Sequence, residues 1–229
     1  MMRARLFRLI ERIRFRPVRV FCFHVVSDDF NPTTTWECDW ISTSGFKQTV
    51  QQLLSSGYSF ISITDAYNHL KNDSFRRKRY AVVTFDDGSF SITDIMPWLA
   101  ERRIPVTLFV NPAYLAGEKT REKPMRLLSA DELKALEEQY GTLITIGSHG
   151  YDHSNCSQMS YEELVENVSL AEKYLNRFPY KSSFFAYPCD KHTLETDRII
   201  KNLGLIPVYC DGGLNYQGGD VIHRELPFK

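Results

Sequence analysis

The chain's 229 residues carry 28 Lys+Arg against 28 Asp+Glu, with 43% hydrophobic and 13% aromatic content. This balance excludes a chain that is basic throughout, as a dedicated nucleic-acid binder often is, and the apolar content builds a core rather than a disordered chain. The five cysteines (Cys22, Cys38, Cys156, Cys189, Cys210) are odd in number and include no C-x-x-C pair, which argues against a disulfide framework or a cysteine zinc knuckle.

The neutrality is a sum of two parts. Residues 1–19 hold seven arginines (Arg3, Arg5, Arg8, Arg12, Arg14, Arg16, Arg19) and one acid, Glu11. Seven minus one gives +6, so the remainder carries −6. Leu6, Leu9, Ile10 and Ile13 share one helical face, with arginines around the rest. Arginine interrupts the segment too often for the apolar run of about 7–15 residues of a signal peptide or the ~18 of a membrane span. The readings open are a basic amphipathic helix lying on an anionic membrane surface, a solvated arm packed on the body, or a frayed terminus. The chain therefore divides into an arm, 1–17, and a domain, 18–229, expected to be cytoplasmic and peripheral on the inner face of the membrane.

After Pro17, short β-rich runs alternate with helical stretches. Strands are expected at 18–26, 59–63, 80–85, 106–110, 143–147, 183–187 and 205–210, several of them continuous apolar runs as in parallel strands buried on both faces. Helices are expected near 43–56, 64–71, 91–103, 129–139, 160–177 and 192–203. Ser129 with Glu132, and Ser160 with Glu163, fit the capping box, while Gly57 and Gly204 sit where helices should stop. Residues 116–126, charged and containing Pro124, read as a surface loop. The alternation implies one α/β domain with a parallel sheet, either a barrel or a doubly wound sheet. With no phosphate-binding glycine loop in the sequence, the nucleotide-binding sheet is the weaker choice.

In parallel α/β folds, chemistry sits beyond the carboxyl ends of the strands. At those ends stand His24 and Ser27-Asp28-Asp29, then Asp86-Asp87-Gly88, Asn111-Pro112, Ser148-His149-Gly150-Tyr151-Asp152-His153, Tyr187-Pro188-Cys189-Asp190, and Asp211-Gly212-Gly213. Adjacent carboxylates repel unless a cation or proton separates their roles, so one of Asp86 and Asp87 can bind a metal while the other faces water or substrate. The alternative is an Asx turn capping the helix near Ser91. His149 and His153, four apart, can face one point; with Asp87 they make a divalent-metal site with open positions. Ser148 and Asp152 are placed to hold the imidazoles' other nitrogens. His69 and His192 read as surface histidines.

TFDDG (Thr84–Gly88), SHGYDH (Ser148–His153) and FAYP (Phe185–Pro188), in this order, resemble the polysaccharide deacetylases with NodB homology, carbohydrate esterase family 4. The resemblance covers roughly residues 18–226. It implies a single-domain, TIM-like distorted (β/α)7 barrel and hydrolysis of N-acetyl, or sometimes O-acetyl, groups on a polysaccharide or its lipid-linked precursor. It maps Asp87, His149 and His153 onto a metal triad for Zn2+ (or Co2+, Ni2+ or Mn2+) and Asp86 onto the catalytic base. The backbone N–H of Cys189, following Pro188, maps onto the oxyanion donor. Tyr187, Pro188, Asn111 and His24 are expected against the substrate. Partners expected are an acetylated glycan and the anionic membrane surface, with no nucleic acid. The chain departs from the family at Ala186, where an arginine often orients the base, and at Cys189-Asp190. The general acid has no clean match; His223 is the first candidate and His24 the alternative. These departures motivate a second reading, a weakened, metal-containing glycan-binding protein.

Overall fold

A computed structural model describes residues 17–29, 40–72, 78–120 and 126–227. The arm expected at 1–17 lies outside these apart from its last residue, and residues 121–125 of the expected surface loop are outside them as well.

The ring at the centre of the fold is built from seven strands: β1 (Arg19–Phe23), β5 (Arg79–Phe85), β6 (Val106–Val110), β7 (Ile144–Ser148), β8 (Lys181–Ala186), β9 (Ile206–Tyr209) and β10 (Ile222–His223). Each pairs parallel with the next in that order. Beyond β10, Glu225 closes the ring onto β1: its N–H donates to the Val20 carbonyl at 2.8 Å, and its own carbonyl accepts from Cys22 at 3.0 Å. The fork from Arg19 to the Glu225 carboxylate, at 2.7 and 2.6 Å, pins the same seam. Two further pairings lie nearby: β4 (Tyr58–Phe60) pairs with β5, and β2 (Val25–Val26) pairs with β3 (Trp40–Ile41). This is the expected distorted (β/α)7 barrel. The run expected at 18–26 is interrupted at His24, and β10 and β3, two residues each, are too short to leave a periodic signal.

Among the described residues, seven α-helices cover the ring: α1 (Thr43–Ser55), α2 (Ile63–Lys71), α3 (Ile92–Glu101), α4 (Pro112–Leu115), α5 (Ala130–Tyr140), α6 (Tyr161–Leu175) and α7 (Leu194–Asn202). Both capping boxes form. Ser129 Oγ accepts from Glu132 N at 3.3 Å and Ser160 Oγ from Glu163 N at 3.3 Å, while each glutamate reaches back to its serine N–H.

Because successive side chains on a strand point to opposite faces, the ring sorts its residues. Val18, Val20, Val82, Phe109, Phe184, Ala186, Val208 and Ile222 form one buried cluster inside it, joined by Ile63, Ala66 and Leu70 of α2. Gly147 makes room there, since a Cβ at that position would clash with the Phe109 ring. The alternate residues face outward. Phe21, Phe23, Val83, Phe85 and Leu108 pack under α1, α3 and α5. Phe185, Tyr187 and Tyr209 pack under α6 and α7. Continuing the inner face toward the carboxyl ends of the strands replaces apolar side chains with Cys22, Thr84, Asp86, His149, Cys210 and Arg224. The site is built from that polar layer. Among the described residues, no helix is long and apolar enough to cross a membrane.

Candidate active site

Asp86 continues β5, its N–H donating to the Phe23 carbonyl at 2.9 Å, so its side chain keeps the inward direction of Val82 and Thr84. Asp87 then takes a left-handed conformation, φ 65°, and turns its carboxylate sideways. Gly88 follows at φ 69°, where a Cβ would also sit 3.1 Å from Val110 Cγ1. The adjacent carboxylates separate for this reason; Ser91, at the start of α3, makes no side-chain cap of its own.

Asp87 Oδ1 lies 3.5 Å from His149 Nε2 and 3.1 Å from His153 Nε2. One ligand atom from each of the three residues falls within 4.8 Å of the others. His149 Nδ1 is 2.8 Å from the Ala186 carbonyl, which can only accept, so Nδ1 carries the proton and Nε2 offers a lone pair to the same point as the carboxylate. Burial alone would raise the Asp87 pKa, but bonds from His149 and His153 hold it well below the ordinary carboxylate range. Burial likewise works to lower His149, and the charges of Asp86 and Asp87 outweigh it and raise it. Two imidazole nitrogens and a carboxylate oxygen converging on one point fit a divalent cation.

The histidine loop is held from outside. Asn111, buried at the end of β6, donates from Nδ2 to the His149 carbonyl and to the Gly150 carbonyl, the latter at 3.2 Å. Its amide therefore braces the histidine loop, a different job from the expected substrate contact. Asp152 accepts from Lys119 at 2.7 Å, Asn167 at 3.0 Å and the Ser154 N–H at 3.2 Å. Neither it nor Ser148 takes the expected bond to His149 Nδ1; Ala186 O does.

Asp86 has a partner that the sequence motifs did not point to. Arg224, fully buried, forks onto both carboxylate oxygens, Nη1 to Oδ1 at 2.5 Å and Nη2 to Oδ2 at 2.8 Å. It also donates to Thr84 Oγ1 at 3.2 Å and to the Tyr209 carbonyl at 3.3 Å. Cys22 Sγ donates to Asp86 Oδ2 at 3.4 Å, and His24 Nε2 lies 4.0 Å from the same oxygen. Burial pushes Asp86 up, but the Arg224 charge and fork, with the neighbouring histidines, bring it down to about 2. Position 186, where the family often has arginine, is alanine; a guanidinium reaches Asp86 from the closing strand instead. Its only sequence signal is an arginine at the end of the last apolar run, directly after His223.

The remaining expected residues divide. Pro188 sits against the histidine loop, 3.6 Å from where a Cβ on Gly150 would be. Cys189 and Asp190 are both left-handed, φ 54° and 53°, and Asp190 Oδ1 accepts from Cys210 N at 2.7 Å. Two consecutive such residues cost of order 1–3 kcal/mol each, strain typical of functional turns. Cys189 has an exposed thiol. Tyr187 and His223 are not brought to the carboxylates. Tyr187 packs outside the ring and donates to Asp197 Oδ1 at 2.9 Å. His223 alternates with Arg224, faces outward with Tyr209 and has its Nδ1 2.8 Å from Asp211 Oδ2. His192, expected at the surface, stacks on Tyr209 with ring centres 4.1 Å apart.

A family model described as polysaccharide deacetylase matches residues 73–208, more than half of the chain. The chain belongs to the polysaccharide deacetylase family. As such it is a carbohydrate deacetylase, of a metal-dependent family that acts on acetylated glycans. Solved structures agree on the fold. IcaB from Ammonifex degensii is 25% identical with a TM-score of 0.76, over 92% of this chain and 91% of that one. The deacetylase PplD of Streptococcus pyogenes, solved in complex with acetate, is 20% identical with a TM-score of 0.74 over 93% of each chain. A de-N-acetylase from Aggregatibacter actinomycetemcomitans is 17% identical with a TM-score of 0.77, over 92% of this chain and 95% of that one. No curated protein sequence matches the chain.

Proposed function

We propose that this deacetylase removes N-acetyl groups from a glycan, a surface polysaccharide or its lipid-linked precursor, by attack of a water that Asp86 deprotonates. The observation that carries the reading is the pairing of two separated carboxylates: Asp87 with His149 and His153, and Asp86 held by the Arg224 fork. A divalent cation held by Asp87, His149 and His153, with Zn2+ the best match to an N,N,O donor set, would polarise the acetyl carbonyl and acidify a water.

The chain's own residues do the rest. Arg224 and Cys22 fix the plane of the Asp86 carboxylate, which takes the proton of the attacking water as its oxygen bonds to the carbonyl carbon. The N–H of Cys189, displayed by the left-handed turn after Pro188, is the donor we assign to the developing oxyanion. As the carbon–nitrogen bond breaks, the amine needs a proton. We assign that donation to His24 Nε2, because it lies beside Asp86 whereas His223 faces the outer layer. Acetate and a free amino sugar leave. We further propose that the arginine-rich arm lies on an anionic membrane at its cytoplasmic face. In support, residues 1–16 hold six arginines against one acid, with Leu6, Leu9, Ile10 and Ile13 at helical spacing.

Acetate release from N-acetylated oligosaccharides by wild type and by Asp86→Asn, His24→Ala and His223→Ala tests the reading. The expected pattern is a loss of about 10²–10⁴-fold for the first two, the range of general acid–base catalysis, and a nearly unchanged rate for His223→Ala. Metal bound without acetate release by wild type across such glycans would instead favour the binding-protein reading.

A further inference from the structure

The polar layer holds a second group of metal-ligating side chains beside the triad. Cys22 Sγ, His24 Nε2 and an Asp86 carboxylate oxygen lie within 4.8 Å of one another. Tetrahedral zinc with bonds of about 2.0–2.3 Å needs ligand separations of roughly 3.3–3.8 Å, so closure asks only for small side-chain movements. The Cys210 thiol, from the residue after β9, lies outside that group of three but in hydrogen-bond contact with the Cys22 thiol, so it joins as a fourth donor only after a larger movement. That contact, with burial, raises the Cys22 thiol well above the ordinary thiol range and lowers the Cys210 thiol.

The Arg224 guanidinium on Asp86 repels a cation, yet the charges of the group can balance one. Arg224 and Asp86 sum to zero. A divalent cation bound by the two sulfurs as thiolates is balanced by them, and the sum is again zero. Metals displace thiol protons in this way, and thiolates favour soft cations.

We propose that Cys22, His24, Asp86 and Cys210 form a second, inhibitory site for a thiophilic divalent cation such as zinc. This rests on the deacetylase reading, because occupation would withdraw Asp86 from the water and His24 from the leaving amine. Activity would then rise with the first equivalent of zinc and fall with the second.

The test is a cobalt titration of the metal-stripped full-length chain. The triad has no sulfur, so the first equivalent should bind without thiolate-to-cobalt absorption in the near ultraviolet. The second equivalent should bring that absorption. In Cys22→Ser the band and the second equivalent should both be lost while the first is retained, and whatever acetate release the variant keeps should no longer fall with excess zinc. One equivalent bound with no thiolate absorption at any excess overturns the second site and leaves the deacetylase reading intact. Thiolate absorption on the first equivalent supports this site and contradicts the triad. If Cys22→Ser fails to fold, Cys210→Ser carries the test: affinity for the second equivalent weakened by about tenfold or more supports the site, and unchanged affinity overturns it.

Discussion

Arg224→Met removes the guanidinium from Asp86 while keeping an apolar side chain of similar reach. The pair is buried, and the fork is made at 2.5 and 2.8 Å. Removing one partner of such a pair costs about 3–5 kcal/mol, because the other charge is left without compensation. The carboxylate itself gives a smaller figure. Its displacement from 3.8 to about 2 is worth about 2.4 kcal/mol at 1.36 kcal/mol per unit. In wild type this stabilisation is present above pH 3.8 and is lost only as pH falls through about 2, so it is intact across pH 4–9. In the variant the main opposition to burial is gone and only His149 and His24 still lower Asp86, so its pKa is expected above the unfolded value. A raised pKa reverses the sign: the penalty vanishes at low pH, where Asp86 is protonated, and grows as pH rises through the unfolded value. Thermal melts should therefore fall by about 6–20 °C at pH 8, at 2–4 °C per kcal/mol for a chain of this length, and by clearly less at pH 4. Acetate release should acquire an acid limb near neutrality that wild type lacks on account of Asp86. An equal melting shift at both pH values, with an unmoved pH–rate profile, would refute the reasoning.

Asn111→Ala leaves the His149 and Gly150 carbonyls without their buried donor. Metal affinity should drop about 10–100-fold, as for other outer partners of metal ligands, which equilibrium dialysis measures; unchanged affinity would remove its bracing role. Lys119→Ala, which frees one acceptor bond of Asp152 on the partly exposed side of the loop, should cost no more than about 1 kcal/mol in a denaturant titration. Removing residues 1–16 should abolish sedimentation with anionic vesicles at low salt while leaving acetate release intact; equal sedimentation would end the membrane proposal.

What the sequence made legible was what repeats along it. The strand ends carrying Asp86-Asp87 and His149 to His153 come after long apolar runs, so both their existence and their convergence at one end of a parallel sheet could be read. Ser129 and Ser160 were readable because a cap and its glutamate lie three residues apart. Arg224 was not, because its partner lies 138 residues away and depends on a two-residue strand that closes the ring. The same strand decides His223: the one-residue offset that sends Arg224 inward sends His223 outward, and a sequence does not disclose that register. Tyr187 fell to the same parity, since Ala186 faces the site and its neighbour faces α7. Asn111 stood at the right strand end, yet its amide turns to the loop backbone. The Cys22–Cys210 contact joins two strands separated by β10 and is a property of the closed ring alone.

Acetate release by the metal-stripped chain, followed as zinc is returned up to one equivalent, decides whether the cation of the Asp87–His149–His153 triad drives the reaction. No release is expected from the stripped chain, full release at one equivalent, and none at any zinc level in His149→Ala. Release by the stripped chain, or by His149→Ala at the wild-type rate, would contradict that role.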